Sequence, residues 1–411
     1  MPDLVELYHF EADRQRARYL RIAGRFAQKF GKRETEFFST PGRTEIGGNH
    51  TDHNGGRVLA GAVNLDVISA ASPRSDNNIC LISEGYDDIE ISLSDLKPAP
   101  EEREKSSSIV RGICARLAQL GYNIGGFDAY TASDVAMGSG LSSSAAFEVQ
   151  IASILNHMYN GGGINPVLLA QIAQYAENEY YGKPCGLMDQ ATCAVGGLVQ
   201  IDFKNTERPV VKKVNYDFEN CGYATVIVFP GKGHDDADSE YDALEKEMKL
   251  VATTLGGYRL REFSKEILLQ RIPELRTAVS DRAILRALHF YADDERVARQ
   301  TACLENSDFD NFLKLVIDSG YSSWMLCQNV YSASDVCRQD LSIALAISEE
   351  LLKGKGAWRI HGGGFGGTIQ AFVPDSMAEE YMEKMDGVFG DGSSLKLTIR
   401  RQGTTKVDID D

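Results

Sequence analysis

Three short blocks of the chain gather residue types that could do chemistry. Pro41 to Gly56 packs five glycines, His50, His53, Arg43, Glu45 and Asp52 into 16 residues. Polar side chains on such permissive backbone suit a small polar ligand gripped by several short hydrogen bonds, although a surface loop would read the same residue by residue. His50 and His53 with Asp52 have a spacing that could hold a metal, but no second ligand pair matches them. The second block, Met137 to Glu148, runs from glycines into Ser142, Ser143 and Ser144 and then into an amphipathic stretch. Backbone N–H groups at a helix start, with serine hydroxyls, cradle an anion without many basic residues. A plain serine N-cap is the competing reading. The third block, His361 to Thr368, holds five glycines between 362 and 367, which lets backbone approach a ligand or another backbone closely. Between these lies Pro184 to Gln190, where Asp189 is either a helix cap or a base whose proton affinity a neighbouring cation sets.

The elements that must position these blocks alternate between strand and helix. Asn78 to Ser83 and Asp88 to Leu93 read as strands, the second with Ile89, Ile91 and Leu93 on one face. Residues 106 to 120 predict a helix with Ser106 to Ser108 as N-caps, a stripe of Ile109, Ile113, Leu117 and Leu120, and Gly121 at its close. A second helix runs from about Ser144 to Tyr159 and a third over 166 to 181. Ala224 to Phe229 is a buried strand. Helices follow over 236 to 256, 278 to 305, 308 to 318 and 334 to 353, and strands at Trp358 to Ile360 and Thr368 to Val373 flank the last glycine block. This mixture argues for an α+β chain. The 411 residues are enough for two or three domains, and the polar stretch around Lys204 to Pro209 divides the chain into 1–210 and 211–411.

Composition excludes several classes. Apolar residues at 43% and charged residues at 25% are ordinary for a globular protein, so the chain is neither disordered nor a fibre. A net charge of −16 repels nucleic acid and anionic membranes, so an anionic ligand needs a local site. No apolar run approaches the roughly 20 residues of a membrane helix, and no secretory signal is visible. The eight cysteines form no CxxC pair, which fits reduced thiols in a cytoplasmic protein. There is no GxxxxGK[ST] loop and no HRD or DFG tripeptide, so P-loop and protein-kinase architectures are out.

Taken in order, the blocks resemble the GHMP small-molecule kinases, and within them the galactokinases. The match runs roughly from Glu36 to Val373, with Ser239-Glu240-Tyr241 and Pro184 to Gln190 as lesser pieces. The resemblance implies a two-domain fold of mixed sheets packed with helices and an active site between the domains. It implies ATP-dependent phosphorylation of the C1 hydroxyl of α-D-galactose, with Mg²⁺. On that template Asp189 and Arg43 are catalytic. Asn49, His50, Asp52, Gly186 and Tyr241 bind the sugar. Gly138, Ser139, Gly140, Leu141, Ser142, Ser143 and Ser144 cradle the phosphates, and Ser143, Ser144 and Glu177 hold the metal.

The chain departs from the pattern at Asn49, where galactokinases carry a glutamate that contacts the C6 hydroxyl, and at His53, where a tyrosine is usual. An amide donates as well as accepts, so a C6-altered hexose such as galacturonate is the alternative substrate. A non-catalytic galactose- and ATP-binding transcriptional sensor is the second alternative, against which the intact serine block argues. The expected partners are sugar and ATP alone, with no nucleic acid and no membrane, in a monomer or weak homodimer.

Overall fold

The computed structural model describes residues 1–136, 138, 140–231 and 237–409. Its strands are β1 (Glu36–Gly47), β2 (Arg57–Pro73), β3 (Asn78–Ser83), β4 (Ile89–Ser92), β5 (Phe127–Ser133), β6 (Leu198–Asp202), β7 (Val210–Val214), β8 (Tyr223–Val228), β9 (Ala357–His361), β10 (Thr368–Pro374), β11 (Ser394–Leu397) and β12 (Thr405–Val407). They make two sheets. The larger has eight strands, with β12-β1-β2-β5-β3-β4 as its path and β6 and β7 added along the first half of β2. The smaller is four-stranded and antiparallel, in the order β11-β8-β10-β9.

The first seven residues of the glycine-rich first block, Pro41 to Gly47, are buried strand, and the rest turns through a short 3₁₀ helix, Asp52–Asn54. Residues 38 to 47 of β1 are buried without alternation, because helices cover both faces of the sheet there. Register shifts at Pro41/Arg43 and Glu45/Gly47 accommodate the proline and glycines, as bulges do. One face packs on the helices Ser106–Gln119, Ser143–Asn160, Pro166–Ala176 and Met188–Val195, through Phe38, Ile79, Leu81, Ile113, Leu117, Ile151 and Ile172. The long helix Asp281–Glu305 reaches the opposite side of β1 and β2, where its Val297 and Phe312 of the next helix, Phe309–Ser322, pack with Ile46 and Leu59 of the larger sheet and Phe372 of the smaller. The division expected between 210 and 211 falls at the start of β7, a strand of the larger sheet, to which β12 also returns.

Three helix starts differ from expectation, one of them the helix read from 334, which begins at Asp340. Ser106 lies inside its helix: Lys105 is the cap residue, and the Ser108 hydroxyl donates to the Lys105 carbonyl at 2.7 Å. The span read as one helix from 278 begins instead at Asp281, after a separate helix Lys265–Ala278, because the Ser280 hydroxyl accepts from Ala283 N–H at 3.1 Å and caps it.

Asp66 of β2 pins the chain ends to the large sheet. Fully buried, it accepts from Tyr8 Oη at 2.5 Å, Arg18 Nη1 at 2.5 Å, Arg400 Nη1 at 2.9 Å and the Ser39 hydroxyl. Burial alone would raise its pKa, but Arg18 and Arg400 with the two hydroxyls hold it below the ordinary value. A carboxylate depressed in the folded state stabilises fully above its unfolded pKa of about 3.9 and loses that contribution as pH falls through the folded value. Asp66→Asn is therefore expected to lose about 3–5 kcal/mol at neutral pH, with two buried guanidiniums left short of a counter-charge. The gap to wild type should narrow as pH drops below about 4, and urea unfolding at a series of pH values measures both effects.

Candidate active site

Arg43 sits on β1 just past the first bulge. Its N–H donates to the Leu141 carbonyl at 3.0 Å, an approach that Gly42 permits, since a Cβ there would lie 2.7 Å from that same oxygen. Its guanidinium grips Asp189 by two parallel bonds, Nε to Oδ1 and Nη2 to Oδ2, both 2.8 Å, while Nη1 donates to the Gly140 carbonyl. Burial would lower the Arg43 pKa, but Asp189 overcomes this and raises it. Ser142 stands at the head of the helix Ser143–Asn160 in a left-handed conformation, φ 61°. Its hydroxyl makes no cap and instead donates to Asp189 Oδ2 at 2.5 Å. The serine cap expected as the competing reading is thus replaced by a bond into the Arg43–Asp189 pair.

A second cluster forms where β1 runs out. His50 adopts φ 55°, and its Nε2–H donates to the Gly363 carbonyl at 2.9 Å. Asp52 opens a short 3₁₀ turn, and its Oδ2 lies where a Cβ on Gly186 would come within 2.5 Å, so glycine alone lets the two segments meet. Tyr241, on the helix Ala237–Leu255, has its ring 6.3 Å from that of His50 and donates from Oη to the Gly364 carbonyl at 2.9 Å. The third block is therefore a scaffold. Its successive carbonyls at Gly362, Gly363 and Gly364 accept from Asn49, His50 and Tyr241 in turn.

Asn49 requires a correction. It is 1% exposed, and its amide is saturated by protein. Nδ2 donates to Gly362 O at 2.6 Å and to Glu45 Oε1 at 3.3 Å, and Oδ1 accepts from Asn329 Nδ2 at 2.8 Å and the Ser323 hydroxyl at 3.2 Å. Two donors and two acceptor positions are all that an amide has, so none is left for a sugar. Glu45 in turn receives Arg359 Nη2 at 2.6 Å, both side chains buried.

The histidines around this cluster are neutral at neutral pH. Burial, then the neighbouring imidazole of His53, takes His50 down to about 4, and burial with His289 takes His53 to about 4. His361 is pushed well down by burial and then by Arg43 and Arg359. Burial raises the Asp52 pKa, with His50 opposing it. The tautomer of His53 follows from its neighbours. Asn54 Oδ1 accepts from Leu260 N–H at 3.3 Å, so Nδ2 faces His53 Nδ1 at 2.9 Å and donates. The proton of His53 is therefore on Nε2, which is buried without a partner.

Ser143, Ser144 and Glu177 come together on one cavity of roughly 230 Å³. Val67, Tyr86, Ile89, Ile109, Phe147 and Tyr181 make the apolar and aromatic part of its wall, and Ser83, Ser106, Ser133, Glu148 and Lys183 also line it. Burial pushes the Glu177 pKa up, and burial with Glu177 beside it pushes Glu148 well up. Gly138 takes φ +72° in open space, and Gly140 takes φ +69° against His361 and Thr368. Ser139 lies outside the described residues. Among the described residues no group of three His, Cys, Asp or Glu is placed to hold a metal ion, which retires the His50–Asp52–His53 metal reading.

Sequence comparison adds a family. Residues 108–197 match the GHMP kinases N terminal domain, and residues 24–73 match the galactokinase galactose-binding signature. Both matches point to the GHMP kinases. The chain is 29% identical to the galactokinase of Clostridium tetani, over 88% of the chain and 89% of the relative. It is 28% identical to that of Streptomyces coelicolor, over 90% and 92%. The galactose-complexed Lactococcus lactis galactokinase superposes with a TM-score of 0.80 at 24% identity, covering 94% of this chain and 99% of that one, which confirms the fold of mixed sheets packed with helices. All eight cysteines are free, and among the described residues no helix is long and apolar enough to cross a membrane.

Sequence reasoning missed the apolar walls of the cavity, Lys183, Glu148 and the orphan donor of His53. Their partners are remote in sequence, and an unpartnered atom has no sequence signal. Asn49→Glu would put a second carboxylate against Glu45 and the Gly362 carbonyl. It is expected to cost about 3 kcal/mol or more, as buried unpaired charges do. Thermal unfolding of the variant measures this; a melting temperature equal to wild type would mean that the site rearranges to expose residue 49.

Proposed function

We propose that this protein is a cytoplasmic galactokinase that transfers the γ-phosphoryl group of ATP to the C1 hydroxyl of α-D-galactose. The observation that carries the reading is the bidentate Arg43–Asp189 pair, tied by Ser142 to the head of the serine-block helix and set beside the Asp52–Gly186 contact. A carboxylate offers about four acceptor positions. Arg43 takes one on each oxygen and Ser142 a second on Oδ2, so Asp189 Oδ1 keeps one for a sugar hydroxyl. Asp189 there orients the C1 hydroxyl and accepts its proton. Arg43, held rigidly in the interior, neutralises charge on the transferred group. Phosphoryl transfer asks chiefly for positioning and charge compensation, which this small set supplies.

The backbone N–H groups that open the helix Ser143–Asn160 bind the phosphates, and the apolar walls of the cavity take the base. Asp52 accepts from ring hydroxyls, the His53 Nε2–H donates to a ring oxygen, and Tyr241 flanks the sugar. Mg²⁺ fits this donor set. Ser143, Ser144 and Glu177 offer oxygen alone, and Glu148 Oε1 and Gln190 Oε1 are buried beside them without partners. When bound there, the ion offsets phosphate charge. With Asn49 turned inward, the observation that favoured a C6-altered hexose is gone. The sensor reading gains none.

Coupled ADP release with Mg-ATP against galactose, galacturonate, glucose, N-acetylgalactosamine, talose and fucose tests the proposal. Turnover should be highest on galactose. Asp189→Ala and Arg43→Ala should each lower kcat about 10²–10⁴-fold, with circular dichroism unchanged. Near-native kcat in either variant would remove that residue from the mechanism. Silence on every sugar would remove the activity.

A further inference from the structure

Glu148 is an acid that neither the Arg43–Asp189 pair nor the sugar cluster uses. It is fully buried on the helix Ser143–Asn160 and lines the cavity that holds Ser143, Ser144 and Glu177. Gln190, which follows Asp189 in the chain and is 1% exposed, clamps it: Nε2 donates to Glu148 Oε2 at 3.0 Å and to Glu177 Oε2 at 2.8 Å. One amide thus joins two buried carboxylates. The two remaining oxygens, Glu148 Oε1 and Gln190 Oε1, are buried with no hydrogen-bond partner. Buried acceptors are seldom left without a donor, and such orphans point to a group that completes them.

The chemistry of that group can be read from the atoms present. Gln190 Oε1 accepts, and Glu148 Oε1 accepts as well once a cation beside it keeps the carboxyl ionised, so the missing group donates. Two carboxylates lie within reach of one amide, so positive charge is favoured there. A hydrated divalent cation supplies both, because magnesium keeps several of its waters when bound, and a metal-bound water is a strong donor. We propose that Glu148 and Gln190 form the outer ring of the divalent-cation site, accepting from waters on the ion that Glu177 and the serines hold. This assignment rests on the kinase reading. Glu148 and Gln190 are positioning residues within it: through the shared amide they set the direction of Glu177, and through the chain they tie the ion to the helix that carries Asp189.

The test is Mn²⁺ binding to the full chain in the presence of a non-hydrolysable ATP analogue, followed by the electron paramagnetic resonance signal of free Mn²⁺. Glu148→Gln should weaken Mn²⁺ binding about 10–100-fold, the usual effect of losing an outer partner. Analogue affinity without metal and the near-ultraviolet circular dichroism should stay unchanged. Glu148→Asp, which keeps the charge, should recover part of the loss. Mn²⁺ affinity within twofold of wild type in folded Glu148→Gln would overturn the proposal. Should Glu148→Gln not fold, Gln190→Met tests the same ring, and unchanged Mn²⁺ affinity there overturns it equally. A wild-type chain that turns over galactose while these variants bind Mn²⁺ normally sinks this assignment alone. A wild-type chain that releases no ADP with any sugar sinks the kinase reading beneath it.

Discussion

The active-site strand is held from three sides by consecutive side chains, and the rest of the site depends on that hold. Arg43 reaches Asp189, the Thr44 hydroxyl meets His361 Nε2 at 3.0 Å and receives Gln370 Nε2 at 2.7 Å, and Glu45 takes Arg359. The last two partners lie on β10 and β9, so the strand that presents Arg43 is also bonded through its side chains to the smaller sheet. A buried ion pair between layers contributes little net stability, but removing one partner leaves an unpaired charge in the interior. The Glu45–Arg359 contact therefore acts as a register mark. It fixes how far β1 can slide against β9, and with it the distance from Arg43 to the helix bearing Asp189.

The third glycine block extends the same logic. Its glycines make room for other parts of the chain. Gly364 is glycine because a Cβ would fall 2.0 Å from the Asn329 carbonyl, and Gly363 because one would fall 2.2 Å from the Tyr241 ring. With those side chains absent, three carbonyls in a row face Asn49, His50 and Tyr241, residues from both halves of the chain. A carbonyl can only accept, so each bond also decides a proton: His50 must carry its hydrogen on Nε2 and Tyr241 must donate. The glycines thus determine which lone pairs the cluster has left for a sugar.

How much of this was legible depends on whether the partner was near in sequence. The helices Ser106–Gln119 and Ser143–Asn160 and the strand Asn78–Ser83 were read almost to the residue, because an apolar period marks each and glycines at 121 and 161 close the two helices, even though residues 148 to 156 turn out buried all round. β1 was not, since burial on both faces erases alternation and Pro41-Gly42 imitates a turn. The joining of Arg43 to Asp189, 146 positions apart, came from family resemblance and from no local pattern. Asn49 was misjudged for a related reason. Its chemistry was weighed against a sugar, whereas its real partners, Ser323 and Asn329, lie some 270 to 280 positions downstream and carry no mark of the contact.

An acidic chain that handles a polyanion has to do so without a broad positive field. The geometry gives the means. His50, His53 and His361 are all held neutral by burial, so they position without adding charge. The proposed mechanism leaves the phosphates to backbone dipoles at the head of the helix Ser143–Asn160, which need no counter-ion of their own. Arg43 is already matched by Asp189. On the proposed mechanism, proton loss from the sugar to Asp189 removes the partner that Arg43 had. The guanidinium is freed electrostatically at the moment when charge grows on the transferred group, which is where its stabilisation lowers the barrier rather than merely the energy of the bound state.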